Sequence, residues 1–146
     1  MSTNFLDNHA VRQVSTPATY AAAAVYGLWI NMVGFRRATF IMSNGELDSN
    51  MAFKVYEATD SSGSGAQEVD TALRNTFTNG THEAYVAAIE VLSDDLTDGY
   101  PYVTVQVTPG ATDTYSCVVL LSDPYVAPVS NNNDATDKVA FADSLH

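Results

Sequence analysis

Between the two ends of the chain the dominant signal is a set of runs in which apolar and polar side chains alternate with a period of two, and this alternation restricts the fold more than any other feature of the chain. Successive side chains of an extended strand point to opposite faces, so each such run buries one face and wets the other. The clearest run is Tyr102-Val103-Thr104-Val105-Gln106-Val107, which predicts three inward valines with polar partners outward, and Pro109-Gly110 ends it. Tyr26, Leu28, Ile30 and Met32 share one face of an earlier segment, and Ala38, Phe40 and Met42 share another after the bend at Gly34. Phe53 and Val55 point inward in a third run, with Lys54 and Tyr56 facing the other way.

Turn chemistry separates these runs. Asn44-Gly45 reads as a reversal because both residues tolerate positive φ, and Asp60 to Gly65 is a Ser/Gly-rich loop. Val69, Leu73 and Phe77 are spaced by four, which suits either a short helix or an irregular strand. Asn79-Gly80 marks a further turn, after which Glu83 to Val91 is apolar enough for a central strand buried on both faces. Tyr115 to Leu121 follows the Tyr102 run after a short Gly-containing loop, which predicts that the two form an adjacent hairpin. Many short strands with little room for crossover helices predict an all-β, antiparallel β-sandwich or jelly roll with at most one or two short helices.

The ends differ from this body. Residues 1–19 are polar, aperiodic and carry Pro17, and are expected to form an extended N-terminal arm outside the core. Residues 20–128 are the expected sandwich domain, and 129–146 a tail in which Asn131, Asn132 and Asn133 break any element, with one helical turn conceivable near Thr136 to Ala142. At 146 residues the chain fits a single domain that buries roughly two-thirds of its unfolded surface. Gly27 and Asn31 interrupt the longest apolar stretch and no basic segment precedes it, so neither a signal peptide nor a membrane span is expected and the chain should be soluble.

Charge and missing motifs narrow the function. Six basic against seventeen acidic residues give a net charge of −11, so DNA and anionic membranes would be repelled and the expected partners are proteins or neutral glycans. The single cysteine, Cys117, excludes an intramolecular disulfide and a multi-cysteine zinc site, and its apolar surroundings make it a buried structural thiol. His9, His82 and His146 lack the spacing of a paired metal site and read as solvent-exposed. Gly63-Ser64-Gly65 lacks the lysine and helix of a phosphate loop, and no nucleophile elbow or H-E-x-x-H is present.

Asp94, Asp95 and Asp98 before Gly99 resemble a calcium loop, but Leu96 and Val105 stand where ligands belong. Asp94 is read instead as the N-cap of one turn ending at Gly99, with a looser calcium site left open. Asn79-Gly80-Thr81 fits a glycosylation sequon and is read as a turn. Seventeen acids offer many carboxylate pairs for glycoside hydrolysis, yet nothing singles one out, so no catalytic, cofactor or metal residues are assigned.

What remains is surface. Tyr100, Tyr102 and Tyr125 lie in a tyrosine-rich C-terminal half, and tyrosine suits half-wet interfaces. Arg36 and Arg37 are scarce cations in an acidic chain, able to pair with carboxylates across an interface or within the domain. These five are the candidate interface residues.

A family resemblance gives this surface an expected use. The stretch from Gly27 through Trp29, Met32, Gly34, Phe35, Arg36, Arg37, Ala38 and Phe40 to Gly45, then Phe53-Lys54-Val55 into Glu57-Ala58-Thr59-Asp60-Ser61-Ser62-Gly63, resembles small virion proteins encoded among tailed-bacteriophage head genes. Leu96, Gly99 to Val105, Val118 to Leu121, Asp123-Pro124 and Pro128 continue the likeness, which covers about residues 20–128. The resemblance implies a capsid decoration (cement) protein: a non-enzymatic homotrimer made in the host cytoplasm, binding the major capsid protein on the outer surface of the virion. It also implies an arm that orders on a neighbouring subunit, with Asn4, Phe5, Leu6, His9, Val11, Arg12 and Val14 as capsid contacts. The alternatives are another virion component, from the head-tail junction or tail, and a glycan-binding adhesion module stacking sugars on Tyr100 or Trp29.

Overall fold

The computed structural model describes residues 5–69, 75–126, 132–134 and 139–141. A one-turn helix α1 (Phe5–Asn8) leads into β1 (Ala10–Tyr20), β2 (Val25–Tyr26), β3 (Ile30–Asn31), β4 (Phe35–Asn44), β5 (Met51–Ala58), β6 (Gln67–Glu68), β7 (Asn75–Phe77) and β8 (Val86–Leu92). A 3-10 turn (Ser93–Asp95) then precedes β9 (Tyr102–Pro109), β10 (Asp113–Pro124), β11 (Asn132–Asp134) and β12 (Val139–Phe141). All pairings are antiparallel. One sheet has the order β1-β10-β4-β8; the other runs β2-β9-β5-β6, with β3 also on β9 and β7 also on β5. The chain is an all-β sandwich, as the period-two pattern predicts.

The core is where the inward residues of the two sheets meet. β4 contributes Ala38, Phe40 and Met42, and β10 contributes Tyr115, Cys117, Val119 and Leu121. From the other sheet come Phe53 and Val55 of β5 and Val103, Val105 and Val107 of β9. Each large side chain buried in this way stabilises the fold by about 1.5–3 kcal/mol.

Several expectations need correction. The segment from Tyr26 to Met32 carries two short strands because the chain leaves β9 after Gly27: the Gly27 N–H still donates to Val105 O of β9 (3.0 Å), but Leu28 N–H donates to Val14 O (2.8 Å) on the opposite sheet. A Cβ at Gly27 would stand 2.5 Å from Val14 Cγ1 and 3.0 Å from Thr104 Oγ1, so only glycine fits there. That close approach also covers Thr104, which is buried although alternation assigns it to the wet face.

β8 is an edge strand with one buried face, not a central strand. Ile89 and Val91 point inward while Val86, Ala88, Glu90 and Leu92 are exposed, and Glu83 and Ala84 form a turn before the strand, with Ala84 at φ 55°. Nor do β9 and β10 form a hairpin. Gly110 packs against Ser49 and Asn50, its N–H donating to Asn50 O (2.9 Å), and the chain there crosses from one sheet to the other. The reversal at Asn44-Gly45 needs no positive φ: the Asn44 amide donates to His82 O and accepts from Tyr85 N–H, both at 2.8 Å, and so pins the end of β4.

The N-terminal segment is extended, but from Ala10 onward it belongs to the sandwich as β1. The β1 strand pairs with β10 from Ala10–Leu121 to Tyr20–Asp113, with register shifts around Ser15. Ala10 and Val14 are buried because they fill the core beneath β10. In the tail, Asn132–Asp134 pairs with Val139–Phe141 as a two-stranded ladder, so the asparagine run carries a strand and the last part of the expected helical turn is extended. Val69, directly after β6, and Phe77, the last residue of β7, are both core residues; Leu73 lies outside the described residues.

Candidate functional site

One end of the sandwich is shaped by three chain crossings: the β3-β4 turn, the β8-β9 connection and the end of β10. Met32 N–H donates to Pro101 O (2.9 Å) and Tyr125 N–H to Gly34 O (2.9 Å), which ties the three together through the main chain. The turns need left-handed backbone at Gly34 (φ 93°) and Gly99 (φ 84°), which glycine adopts without strain. Between them lies a groove of about 310 Å³ whose walls include Val33, Phe35, Leu96, Tyr100, Pro101 and Tyr125.

The groove collects candidates that are far apart in sequence. Tyr100 is half-buried in its wall, and Tyr125 is 57% exposed at its rim. The Arg36 guanidinium stacks on the Tyr125 ring at 4.1 Å, a cation-π contact that holds the ring in place and leaves both groups at the surface. A second hollow beside it is lined by Asn8, His9, Arg36, Asp123 and Pro124, which brings the N-terminal segment to the same end. There the His9 ring stacks on Phe5 at 3.8 Å, with Nδ1 2.8 Å from Phe5 O.

Other candidates are engaged elsewhere. Arg37 is held inside the domain, its Nη1 3.0 Å from Glu90 and its Nε 3.1 Å from Asp123. The Glu90 hydrogen bond, more than any other contact, raises the Arg37 pKa above its usual value. Tyr102 lies on the outer face of the six-stranded sheet, opposite Ala58 and Asn31, and is not a groove residue. Val14, 1% exposed, is core and unavailable as a capsid contact. Val11 and Arg12 are half-buried on β1, Arg12 donating to Val11 O (3.0 Å); Leu6 sits in α1, and Asn4 lies outside the described residues.

The sequence reading missed Val33, 67% exposed at the groove rim. Its signal was available: an apolar residue next to a turn glycine, off the alternating face.

The remaining polar features are structural. Asp95, rather than Asp94, closes the turn after β8, its Oδ2 accepting from Leu92 N–H (3.1 Å). Glu57 is buried and bridges Gln67 Nε2 (2.6 Å) to Thr97 N–H (2.8 Å). Among the described residues no three His, Cys, Asp or Glu side chains lie together as a metal-binding group. Burial pushes the Cys117 thiol up to about 12, so it stays protonated and unreactive at neutral pH. His82 is half-buried, its Nδ1 accepting from Thr78 N–H (2.9 Å) within its own turn.

No family model and no curated protein matches the chain. Among solved structures it is similar to a chain from disulfide-linked pili, the Bacillus endospore appendages, at 13% identity and a TM-score of 0.49, covering 85% of this chain and 96% of that one. A chain described under CBM4 is similar at 13% identity and a TM-score of 0.38, covering 87% and 90%. Likenesses at this level carry no function across.

Proposed function

We propose that this chain is a structural protein of a tailed-phage virion that binds the outer capsid surface and cements neighbouring major capsid protein subunits. The family resemblance over residues 20–128 supplies the setting. The observation that carries the reading is the groove end, where Val33, Tyr100 and Tyr125 line one hollow and His9 and Arg36 a second, joined by the Arg36 stack on Tyr125, with Phe5 stacked on His9, in a chain of net charge −11. Aromatic and arginine side chains are enriched where proteins dock, and a rigid tyrosine stacked by arginine loses little entropy on binding. Repeated contacts of this kind stabilise a shell by mass action rather than by chemistry.

The glycan-binding alternative draws on Tyr100 and Trp29, of which Tyr100 is half-buried in the groove wall. It is weaker because Trp29 is only 8% exposed and its indole lies against Gly63, leaving little flat surface for a sugar ring.

The test is co-sedimentation of the purified chain with empty expanded heads, with bound copies counted. The Arg36→Ala/Tyr125→Ala double variant is expected to bind at least about tenfold more weakly. A truncation testing the arm must stop before Ala10, since β1 is part of the sandwich. No binding by the wild type, or saturation unchanged in the double variant, would sink the reading.

A further inference from the structure

The edges of the two sheets are not alike. At the six-stranded sheet, one edge is split into β2 and β3 and the other into β6 and β7, pieces of two or three residues that are too short to template another strand. At the four-stranded sheet, β1 carries Pro17 and two register shifts, and its Val14 carbonyl is already taken by Leu28 N–H. β8 has none of these protections. It pairs with β4 over seven consecutive residues, Arg37–Leu92 to Ser43–Val86, without a bulge, and contains no proline or lysine. Its single charge, Glu90, is paired with Arg37. Among the described residues nothing pairs with its outer side.

The ladder shows which groups that side offers. Asn44 N–H donates to Tyr85 O (3.1 Å), one step beyond the Ser43–Val86 pair. By antiparallel alternation Ala87, Ile89 and Val91 turn their N–H and C=O groups onto β4, while Val86, Ala88, Glu90 and Leu92 turn theirs to the free edge. The Leu92 N–H is already held by Asp95.

We infer that β8 pairs antiparallel with β8 of a second copy of this chain, centred on Ile89, joining two four-stranded sheets into one of eight. In that register Ala88 faces Glu90 of the second copy and Val86 faces its Leu92; the Ala88–Glu90 pairs exchange both backbone hydrogen bonds, while in the Val86–Leu92 pairs the Val86 N–H meets the Leu92 carbonyl and the Leu92 N–H stays with Asp95. The exposed apolar ends, Val86 at 67% and Leu92 at 38%, cover each other. Moving the centre to Glu90 would set like charges directly opposite, and moving it to Ala88 would shorten the overlap. A twofold axis makes the contact self-complementary and closed.

The test is sedimentation equilibrium of the full chain and three variants across the micromolar range. The wild type is expected to reach the mass of a dimer. Ala88→Glu, which opposes Glu90 twice across the axis, should weaken it roughly two- to thirtyfold, and Ala88→Lys should tighten it by a similar factor. Ala88→Pro removes an outward N–H and should leave a monomer. The Glu and Lys changes sit on an exposed strand face, so they report even where the proline variant does not fold. A wild type that stays monomeric or reaches trimer mass overturns the inference, as does a dimer that Glu and Lys shift in the same direction or not at all. Head binding is read separately, so it can fail without touching this result.

Discussion

At their middles β4 and β10 set Phe40 opposite Val119, both fully buried; at their ends the same strands set Phe35 opposite Pro124, beside exposed Tyr125. The middle is held by close packing between two sheets. The end is held by main-chain hydrogen bonds between turns, with aromatic and charged side chains left at the surface. One pair of strands therefore serves as scaffold along most of its length and as a displayed surface where it stops, and stability and recognition should respond to different substitutions.

The largest effect should fall in the middle. Phe40→Ala leaves a cavity among Met42, Val119 and the facing sheet and is expected to cost about 3–5 kcal/mol in denaturant unfolding. A cost near zero would mean that the middle is not the scaffold. A change of opposite sign is expected nearby at Tyr115, which is 2% exposed and stacked on Tyr20 at 4.2 Å. Its hydroxyl has no hydrogen-bond partner among the described residues, and burial raises its pKa. Tyr115→Phe removes the desolvated group while keeping the ring, so it should stabilise by about 1 kcal/mol. Destabilisation by Tyr115→Phe would show that the hydroxyl is satisfied after all.

The middle was also the legible part. Ala38, Phe40, Met42, Phe53, Val55 and the three valines of β9 are read correctly because burial imposes period two on each strand by itself. Which strand lies beside which was not legible. The separation of β9 from β10 depends on Gly110 meeting Ser49 and Asn50, and the division of β2 from β3 on Gly27 meeting Val14, contacts between residues distant in sequence. The run at β8 misled because alanine and valine on its wet face look like burial on both sides. At the groove end, residue types pointed to Arg36, Tyr100 and Tyr125, but only the crossing of three turns brings them together. The Arg36-Arg37 pair is instructive: adjacent side chains of a strand point to opposite faces, so one arginine stacks on Tyr125 while the other reaches Glu90 and Asp123.

That division yields the smallest effect and the sharpest test of the comparison. Arg37 bridges two carboxylates at the surface, where water and salt screen the attraction and ordering three side chains offsets much of the gain. Arg37→Ala should therefore lower Tm by no more than about 2–4 °C, and the difference should shrink further in high salt. Because Arg37 already has both partners within its own chain, the substitution should leave binding to expanded heads nearly unchanged. A large loss of stability would make the end of the sandwich a scaffold like its middle. A large loss of binding with stability intact would move the displayed surface from the Arg36-Tyr125 face to the one that carries β8.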